Sequence, residues 1–372
     1  MAAPHTLVVK NGHVLLPSGR LCECDVRVRA GRVLALAKDL SGDEQEYAAG
    51  GTVLPGLIDL HTHGIRTETV LKGSLAAYAR IEAERGATSF LPAVFGTSPE
   101  EIAECRRRHR RETDELRLTP QIPGFRLEGP YLLPGTGSPY QEKMGLAGKS
   151  HSLINPATTA LLLEAAGGLV RIWDVAPELE GAPALIRALS AEGILCSICH
   201  TKASIEEAQA AVEAGARLVT HLFDTFFQPA VTDPDPGVYP AGLVDYLLVE
   251  DRVACEIIGD GTHVHPLLVE KAFRCKPGDG LVFITDSNYG ANLPAGEYIW
   301  PDNGERILID GPNKGVRELD REMELGGSAL TPIDSFRNCL QLFGKDVATA
   351  SRVWSRNPAR LLGLNKGEIA PG

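Results

Sequence analysis

Eight apolar segments that alternate with helical patterns constrain the fold of this 372-residue chain more than any other feature. The apolar segments span 52–60, 88–94, 121–128, 169–175, 194–199, 217–222, 253–258 and 281–286. Helical patterns lie between them, among others at 72–85, 98–116, 157–166, 181–192, 204–215 and 265–273. Such alternation over about 300 residues predicts an α/β fold of the (β/α)8, or TIM-barrel, type. A doubly wound sheet is the rival, but its glycine-rich phosphate loop after an early strand is missing.

The N-terminal segment carries a different pattern. The stretches 6–9, 25–29 and 32–36 are rich in Val and Leu, and glycines separate them. Short runs of this composition predict strands. We therefore expect a small β unit before the barrel.

A His-x-His motif ends the first apolar segment, in PGLIDLHTHG at 55–64. Residues i and i+2 of a strand point to the same side, so His61 and His63 can bind one metal ion. Imidazole suits zinc and iron. Alone the motif is weak, because two polar residues at a strand end are an equally good interpretation.

The ends of four further predicted strands carry residues of the same chemical types. Glu128 ends the third strand, His200 the fifth, His221 the sixth and Asp286 the eighth. The C-terminal ends of barrel strands are where TIM-barrel active sites are built. Their convergence predicts one shared metal site with an acid–base group beside it.

The charge of the chain argues against nucleic-acid binding. Its formal net charge is −11, whereas such proteins need a basic surface. The basic run at 106–111 has glutamates around it and is interpreted as a solvated helix face. No signal peptide and no membrane span are expected, and eight scattered cysteines favour a reducing cytoplasm.

Cys196, Cys199 and His200 match the C-x-x-C-H pattern of c-type haem attachment. We discount haem because an apolar strand would keep it from both thiols and no export signal is seen. A zinc site made from the two thiols is an alternative, although a second C-x-x-C is lacking. Packing of both cysteines, with His200 as the metal ligand, is the preferred interpretation.

A second His-x-His lies just past the seventh strand. His263 is a candidate substrate contact, whereas His265 precedes Pro266 at a helix start and is interpreted as a surface residue. His151, in a loop, is a weaker candidate for substrate contact.

Together these motifs resemble the N-acetylglucosamine-6-phosphate deacetylase family of the amidohydrolase superfamily. In order along nearly the whole chain they are PGLIDLHTHG (55–64), LEGPY (127–131), APE (176–178), CHT (199–201), THLFD (220–224), DGTHV (260–264), ITDS (284–287), GGSALT (326–331) and NPARLLGLNKGEIAPG (357–372).

The resemblance implies a divalent metal ion, zinc first and iron as the alternative, with one or two ions per chain. Glu128, His200 and His221 would be the principal ligands, and His61 and His63 would complete a second position that some members fill.

The resemblance also assigns roles around the metal. Asp286 would be the catalytic acid–base, and His263, Asp224 and Thr225 would contact the substrate. It further implies a homodimer and a small β-sandwich domain from 1–52 and 360–372, with the hydrolase barrel at 53–359.

Three departures from the family pattern concern the substrate and the chain end. Asp224 stands where the family carries Asn, and 233–237 reads DPDPG where an arginine grips the sugar phosphate. A phosphate pocket would then need Lys143, Lys149 or another cation. The loop 132–149 lacks the family's Gly-Ala-His segment, and the chain stops at 372, so either the sequence is trimmed or the sandwich is incomplete.

The sequence thus predicts a metal-dependent amidohydrolase that removes the N-acetyl group from a small amino-sugar substrate, with the 6-phosphate requirement left open. One alternative is a deacylase or deaminase acting on another small amide, but strand four lacks the lysine that carbamylated relatives use. A catalytically inactive sugar-binding relative is the second alternative, and the presence of Asp286 argues against it.

Overall fold

Eight parallel strands form the central sheet of the protein. They are β6 (Leu57–Thr62), β9 (Ala87–Phe95), β10 (Phe125–Glu128), β11 (Val170–Val175), β12 (Leu195–Ile198), β13 (Leu218–Val219), β14 (Ala254–Ile258) and β15 (Leu281–Ile284). Their order in the sheet is β15-β14-β13-β12-β11-β10-β9-β6. The computed structural model describes residues 6–42, 44–47, 50–95, 98–116, 121–132, 154–226, 238, 240–301, 304–321 and 323–372.

Helices connect successive strands of this sheet, and further helices follow its last strand. They are α1 (Leu75–Glu84), α2 (Pro99–Leu116), α3 (Pro156–Ala166), α4 (Ala182–Ala191), α5 (Ile205–Ala214), α6 (Leu243–Val249), α7 (Pro266–Cys275), α8 (Pro332–Gln341), α9 (Val347–Ser351) and α10 (Asn357–Leu361), with a π-helical turn at Arg352–Arg356. The start of α5 is specified by its sequence, because Ser204 and Glu207 form a capping box.

The first and last strands of the sheet meet at their C-terminal ends. The amide of Asp286 donates to the carbonyl of His61 over 2.9 Å, and that of His63 donates to the carbonyl of Ser287 over 2.7 Å. Two residues before His61, the carboxylate of Asp59 accepts a hydrogen bond from the Thr285 hydroxyl at 2.5 Å. The sheet therefore closes, which confirms the predicted (β/α)8 barrel and excludes the doubly wound rival.

The strands are shorter than their apolar segments. Thr52–Val53, which the sequence placed in the first barrel strand, instead forms β5 and pairs with β1 (Thr6–Leu15) of another sheet. The pairing of β6 with β9 is irregular between Asp59 and Thr62. An irregularity of this kind redirects side chains, here next to the His-x-His motif.

The N-terminal segment forms a separate five-stranded sheet. Its strands are β1 (Thr6–Leu15), β2 (Leu21–Arg29), β3 (Arg32–Ala37), β4 (Glu44–Tyr47) and β5. Ile369, from the C-terminal segment, packs with Val14 and Val26 in the small core of this sheet. Both chain ends thus contribute to one β unit, while the boundaries of the two domains stay a prediction.

The segment 296–325 forms a separate antiparallel sheet of four strands. They are β16 (Gly296–Ile299), β17 (Arg306–Ile309), β18 (Val316–Glu318) and β19 (Glu324–Leu325). A two-residue ladder, β7 (Gly64–Ile65) with β8 (Glu68–Thr69), lies directly after the His-x-His motif.

Helix α2 carries the basic run at 106–111, and its side chains do not all face solvent. Arg107 is exposed and pairs with Glu104, as expected. Arg108 is 3% exposed and donates to the carbonyls of Val70 and Gly73, so the solvated-face interpretation was wrong for that residue. Among the described residues, no helix is both long and apolar enough to cross a membrane.

A buried ion network lies in the barrel interior around Arg126, two residues before Glu128 in the sequence. Arg126 is fully buried and binds Asp174 of β11 with two nitrogens, at 2.8 Å each. It also donates to Glu256 of β14 at 2.8 and 2.9 Å and to Thr220 at 2.6 Å. One guanidinium thus compensates two carboxylates that would be costly to bury alone.

We expect Arg126→Met to lower the free energy of unfolding by roughly 3 to 5 kcal/mol, because it leaves two buried carboxylates without a cation. Urea denaturation measures the change. The exposed control Arg107→Met should lose less than about 1 kcal/mol. Equal losses for the two variants would contradict the role given to the buried network.

Candidate metal centre and active site

Glu128, the last residue of β10, is the centre of the site. It is 3% exposed, and histidines surround both of its oxygens. Oε1 lies 2.8 Å from Nε2 of His200 and 3.4 Å from Nε2 of His221. Oε2 lies 3.2 Å from Nε2 of His61 and 3.1 Å from Nε2 of His63. The five predicted metal ligands are therefore brought together.

Three of the site residues leave their strands in an unusual backbone conformation. His200, His221 and Asp286 have φ values of +42°, +26° and +50°. Residues other than glycine adopt this left-handed region rarely and at a cost in energy. Such residues cluster at functional sites, where the surrounding structure maintains them. Here the turn directs each side chain at the strand end into the cluster.

Asp286 approaches the cluster from the eighth strand. Its Oδ1 lies 3.5 Å from Nε2 of His61 and 3.4 Å from Nε2 of His63. Burial alone would raise the pKa of this carboxyl, but His61 and His63 lower it to about 2. Asp286 is therefore ionised at neutral pH and able to accept a proton.

The carboxylates act on the histidines in the opposite sense. Burial would lower the pKa of His63, but hydrogen bonds with Asp286 and Glu128 raise it to about 10. The pKa of Glu128 is held well below its ordinary value, because the neighbouring histidines outweigh its burial. A divalent cation competes with protons for these nitrogens, so metal binding should release protons and weaken at low pH.

The donor set fits a divalent transition metal. Two groups of residues have ligand atoms that lie within 4.8 Å of one another inside each group. One group is Glu128 with His61 and His63, and the other is Glu128 with Cys199, His200 and His221. Imidazole, carboxylate and thiolate are the ligands that zinc accepts, and imidazole also suits iron. The buried carboxylate of Glu128 is shared between the two groups.

The predicted substrate residues lie around this cluster. His263 is almost completely buried, and its Nδ1 lies 2.5 Å from Oδ2 of Asp260. Burial opposes a charge on His263, but Asp260, with Asp224 and Asp286 at longer range, raises its pKa. The carbonyl of Asp224 lies 3.3 Å from Nδ1 of His221, and the carbonyl of Thr225 accepts from the amide of Thr201.

Two residues of the site, Asp260 and Glu178, had not been singled out from the sequence, and a third, Cys199, had been interpreted as a packed cysteine. Asp260 orients His263, Glu178 accepts from the Thr201 hydroxyl at 2.5 Å, and the Cys199 thiol joins the donor cluster. Glu178 also accepts from the amide of Lys202 at 2.6 Å, which fixes the turn after His200. Their position in the sequence could have identified them, since each residue follows a barrel strand.

The competing motifs have separate outcomes. Cys196 is buried and its thiol contacts backbone carbonyls within its own region, as expected of packing. His265 is exposed and caps α7 through the amide of Leu267, as the surface interpretation predicted. His151, Lys143, Lys149 and the stretch 233–237 lie outside the described residues.

No protein-family model matches the chain, but full-length relatives do. N-acetylglucosamine-6-phosphate deacetylase of Bos taurus is 32% identical over 380 residues, which covers 95% of this chain and 86% of the relative. The enzyme of the same description from Lysinibacillus sphaericus is 28% identical and covers 99% of this chain and 92% of its own. The chain belongs to the N-acetylglucosamine-6-phosphate deacetylase family.

A solved structure of this family has the same fold. The chain superposes with a TM-score of 0.80 and 25% identity on a mutant Mycobacterium smegmatis N-acetyl-D-glucosamine-6-phosphate deacetylase in complex with N-acetyl-D-glucosamine-6-phosphate, over 100% of this chain and 93% of that one. The described residues also hold a candidate cluster of ligands for a metal ion. The protein is therefore a hydrolase of amide C–N bonds, and the roles of its individual site residues stay predictions.

We expect Glu128→Gln to reduce the metal content of the purified protein to well below that of the wild type. The amide keeps the shape of the side chain but removes the negative charge that both histidine groups face. Elemental analysis measures the metal per chain. Glu104→Gln, on the exposed side of α2, is the control; a normal metal content in Glu128→Gln would contradict the shared-ligand role.

Proposed function

We propose that this deacetylase-family protein removes the N-acetyl group from an amino sugar. The carboxylate of Asp286, held 3.4 to 3.5 Å from the histidines of the Glu128 cluster, is the observation that carries the proposal. It combines a donor set for a divalent metal with an ionised acid–base group, which amide hydrolysis requires. Binding of a sugar without chemistry would not require that second group.

Glu128, His200 and His221 are the proposed principal metal ligands, and His61 and His63 the ligands of a second position. A divalent cation held there would lower the pKa of a water molecule and polarise a carbonyl oxygen. Zinc is the proposed metal and iron the alternative, with one or two ions per chain.

Asp286 is the proposed base and acid of the reaction. Its low pKa makes it a proton acceptor first, and it takes a proton from the attacking water. As the C–N bond breaks, it passes that proton to the leaving nitrogen, because an amine leaves poorly unless it is protonated. The products are the free amino sugar and acetate.

His263 is proposed to contact the substrate. Its hydrogen bond with Asp260 fixes the ring and leaves Nε2 for the substrate carbonyl or a hydroxyl group. Asp224 and Thr225 are the further proposed contacts, and they suit hydroxyl donors better than an anion. Together with the acidic stretch 233–237, they support a reduced need for the 6-phosphate.

The resemblance supports a homodimer as the proposed assembly. For the location of the protein we propose the cytoplasm, because all eight cysteines are free, as expected in a reducing compartment.

We expect Asp286→Asn to reduce turnover by roughly 10²- to 10⁴-fold, the usual contribution of a positioned acid–base group. Its metal content should stay near normal, because the amide still fits beside the histidines. Acetate release and elemental analysis measure the two quantities. Turnover close to wild type would contradict the proton-transfer role.

Substrate preference tests the specificity part of the proposal. We expect the enzyme to release acetate from unphosphorylated N-acetylhexosamines as well as from their 6-phosphates, because an arginine is missing from 233–237. A panel of both forms, compared by kcat/KM, measures the preference. A strong preference for the phosphorylated sugars would show that a cation elsewhere replaces that arginine.

A further inference from the structure

The thiol of Cys199 lies among the metal ligands and not in an apolar environment. Its Sγ is 3.9 Å from Oε1 of Glu128 and 3.8 Å from Nε2 of His221. Cys199 is fully buried, and it directly follows β12 and precedes His200. Packing as a small hydrophobe does not explain a thiol directed at a buried carboxylate and an imidazole.

Cys196, on the same strand, shows what a packed cysteine looks like in this protein. Its Sγ lies 3.7 Å from the carbonyl of Ile186 and 3.8 Å from the hydroxyl of Ser190, away from the metal ligands. Both thiols are fully buried. Burial alone therefore does not place a cysteine in the cluster.

The spacing of the donor atoms suits coordination of one ion. Zinc bonds of about 2.0 Å to nitrogen or oxygen and about 2.3 Å to sulfur put two tetrahedral N or O ligand atoms about 3.3 Å apart, and an N or O atom about 3.5 Å from a sulfur. The Cys199 sulfur, at 3.9 and 3.8 Å from its two neighbours, is slightly farther than that, and Glu128 Oε1 lies 3.4 Å from His221 Nε2. The 2.8 Å between Glu128 and His200 is a hydrogen-bond distance.

We propose that the thiolate of Cys199 is a fourth ligand of the metal ion at the Glu128–His200–His221 position. The inference rests on the metal centre proposed above and adds a sulfur ligand to it. When the thiolate binds, its proton is released to solvent. A sulfur ligand favours zinc, cobalt and iron over the harder magnesium and manganese, so this position should select among divalent metals.

The ligand also separates the two metal positions chemically. With Cys199, the position at Glu128 Oε1 has four protein ligands, so the water of the proposed reaction would be a fifth ligand, a number that catalytic zinc can reach. The position at Glu128 Oε2 has His61 and His63 with Asp286 beside them. The inference thus assigns tight metal retention to the first position and places Asp286 at the second.

Cobalt substitution tests the proposal without relying on activity. The metal-free protein is titrated with Co²⁺, and its absorption is recorded for the wild type, Cys199→Ser and the matched control Cys196→Ser. We expect a thiolate-to-cobalt charge-transfer band in the near ultraviolet that saturates with the first equivalent in the wild type and Cys196→Ser. We expect the band to be absent in Cys199→Ser, with weaker retention of the metal against a chelator.

The outcomes are separable. Cobalt binding without a charge-transfer band in the wild type overturns the thiolate ligand but leaves the proposed hydrolase intact. A band that persists in Cys199→Ser and disappears in Cys196→Ser also overturns it. If the wild type binds no cobalt, both the inference and the metal-dependent function fail. Circular dichroism of the variants shows whether they fold, and the wild-type spectrum decides the question if Cys199→Ser does not.

Discussion

The buried carboxylate of Glu128 is the constraint on which the rest of the site depends. An isolated carboxylate at 3% exposure would be costly, and here histidines from three other strand ends compensate it. Its two oxygens face different pairs of histidines, so one residue connects the two donor groups. The side chain lies two residues after Arg126, whose own charge is used by Asp174 and Glu256 and is not available to Glu128. The charge of Glu128 therefore has to be compensated at the strand ends, by protonated histidines or by a metal cation.

Closure of the barrel places the reacting groups together. His61 and Asp286 are far apart in sequence, and the backbone hydrogen bond between them fixes their separation. Asp59 strengthens the same junction, since it accepts from Thr285 on the last strand and from the amide of His61 on the first. A proton carrier placed by a strand junction has less freedom than one on a surface loop. This explains why the acid–base group lies on the eighth strand, directly beside the ligands of the first.

The sequence could predict those parts of the site that depend on strand order alone. Residue types at strand ends were sufficient for Glu128, His200 and Asp286, because every parallel strand of a barrel delivers its C-terminal end to one face. The cysteine pair could not be resolved this way. Cys196 and Cys199 are three residues apart, so strand alternation directs them to opposite faces, but it does not say that the Cys199 thiol comes within 4 Å of two metal ligands, as it does in the structure. Arg126 was missed for a similar reason, since its partners lie on strands that only the closed barrel brings near.

The negative charge of the two carboxylates in the site explains both its affinity for protons and its affinity for metal ions. Glu128 and Asp286 create a negative potential in a region of low dielectric, where such interactions are strong. That potential raises the pKa of His63 to about 10, against the effect of burial. A divalent cation experiences the same potential with twice the charge and with ligand nitrogens already in place. Protons and metal therefore compete for one set of atoms, and the carboxylates that tighten metal binding at neutral pH also make it sensitive to acid.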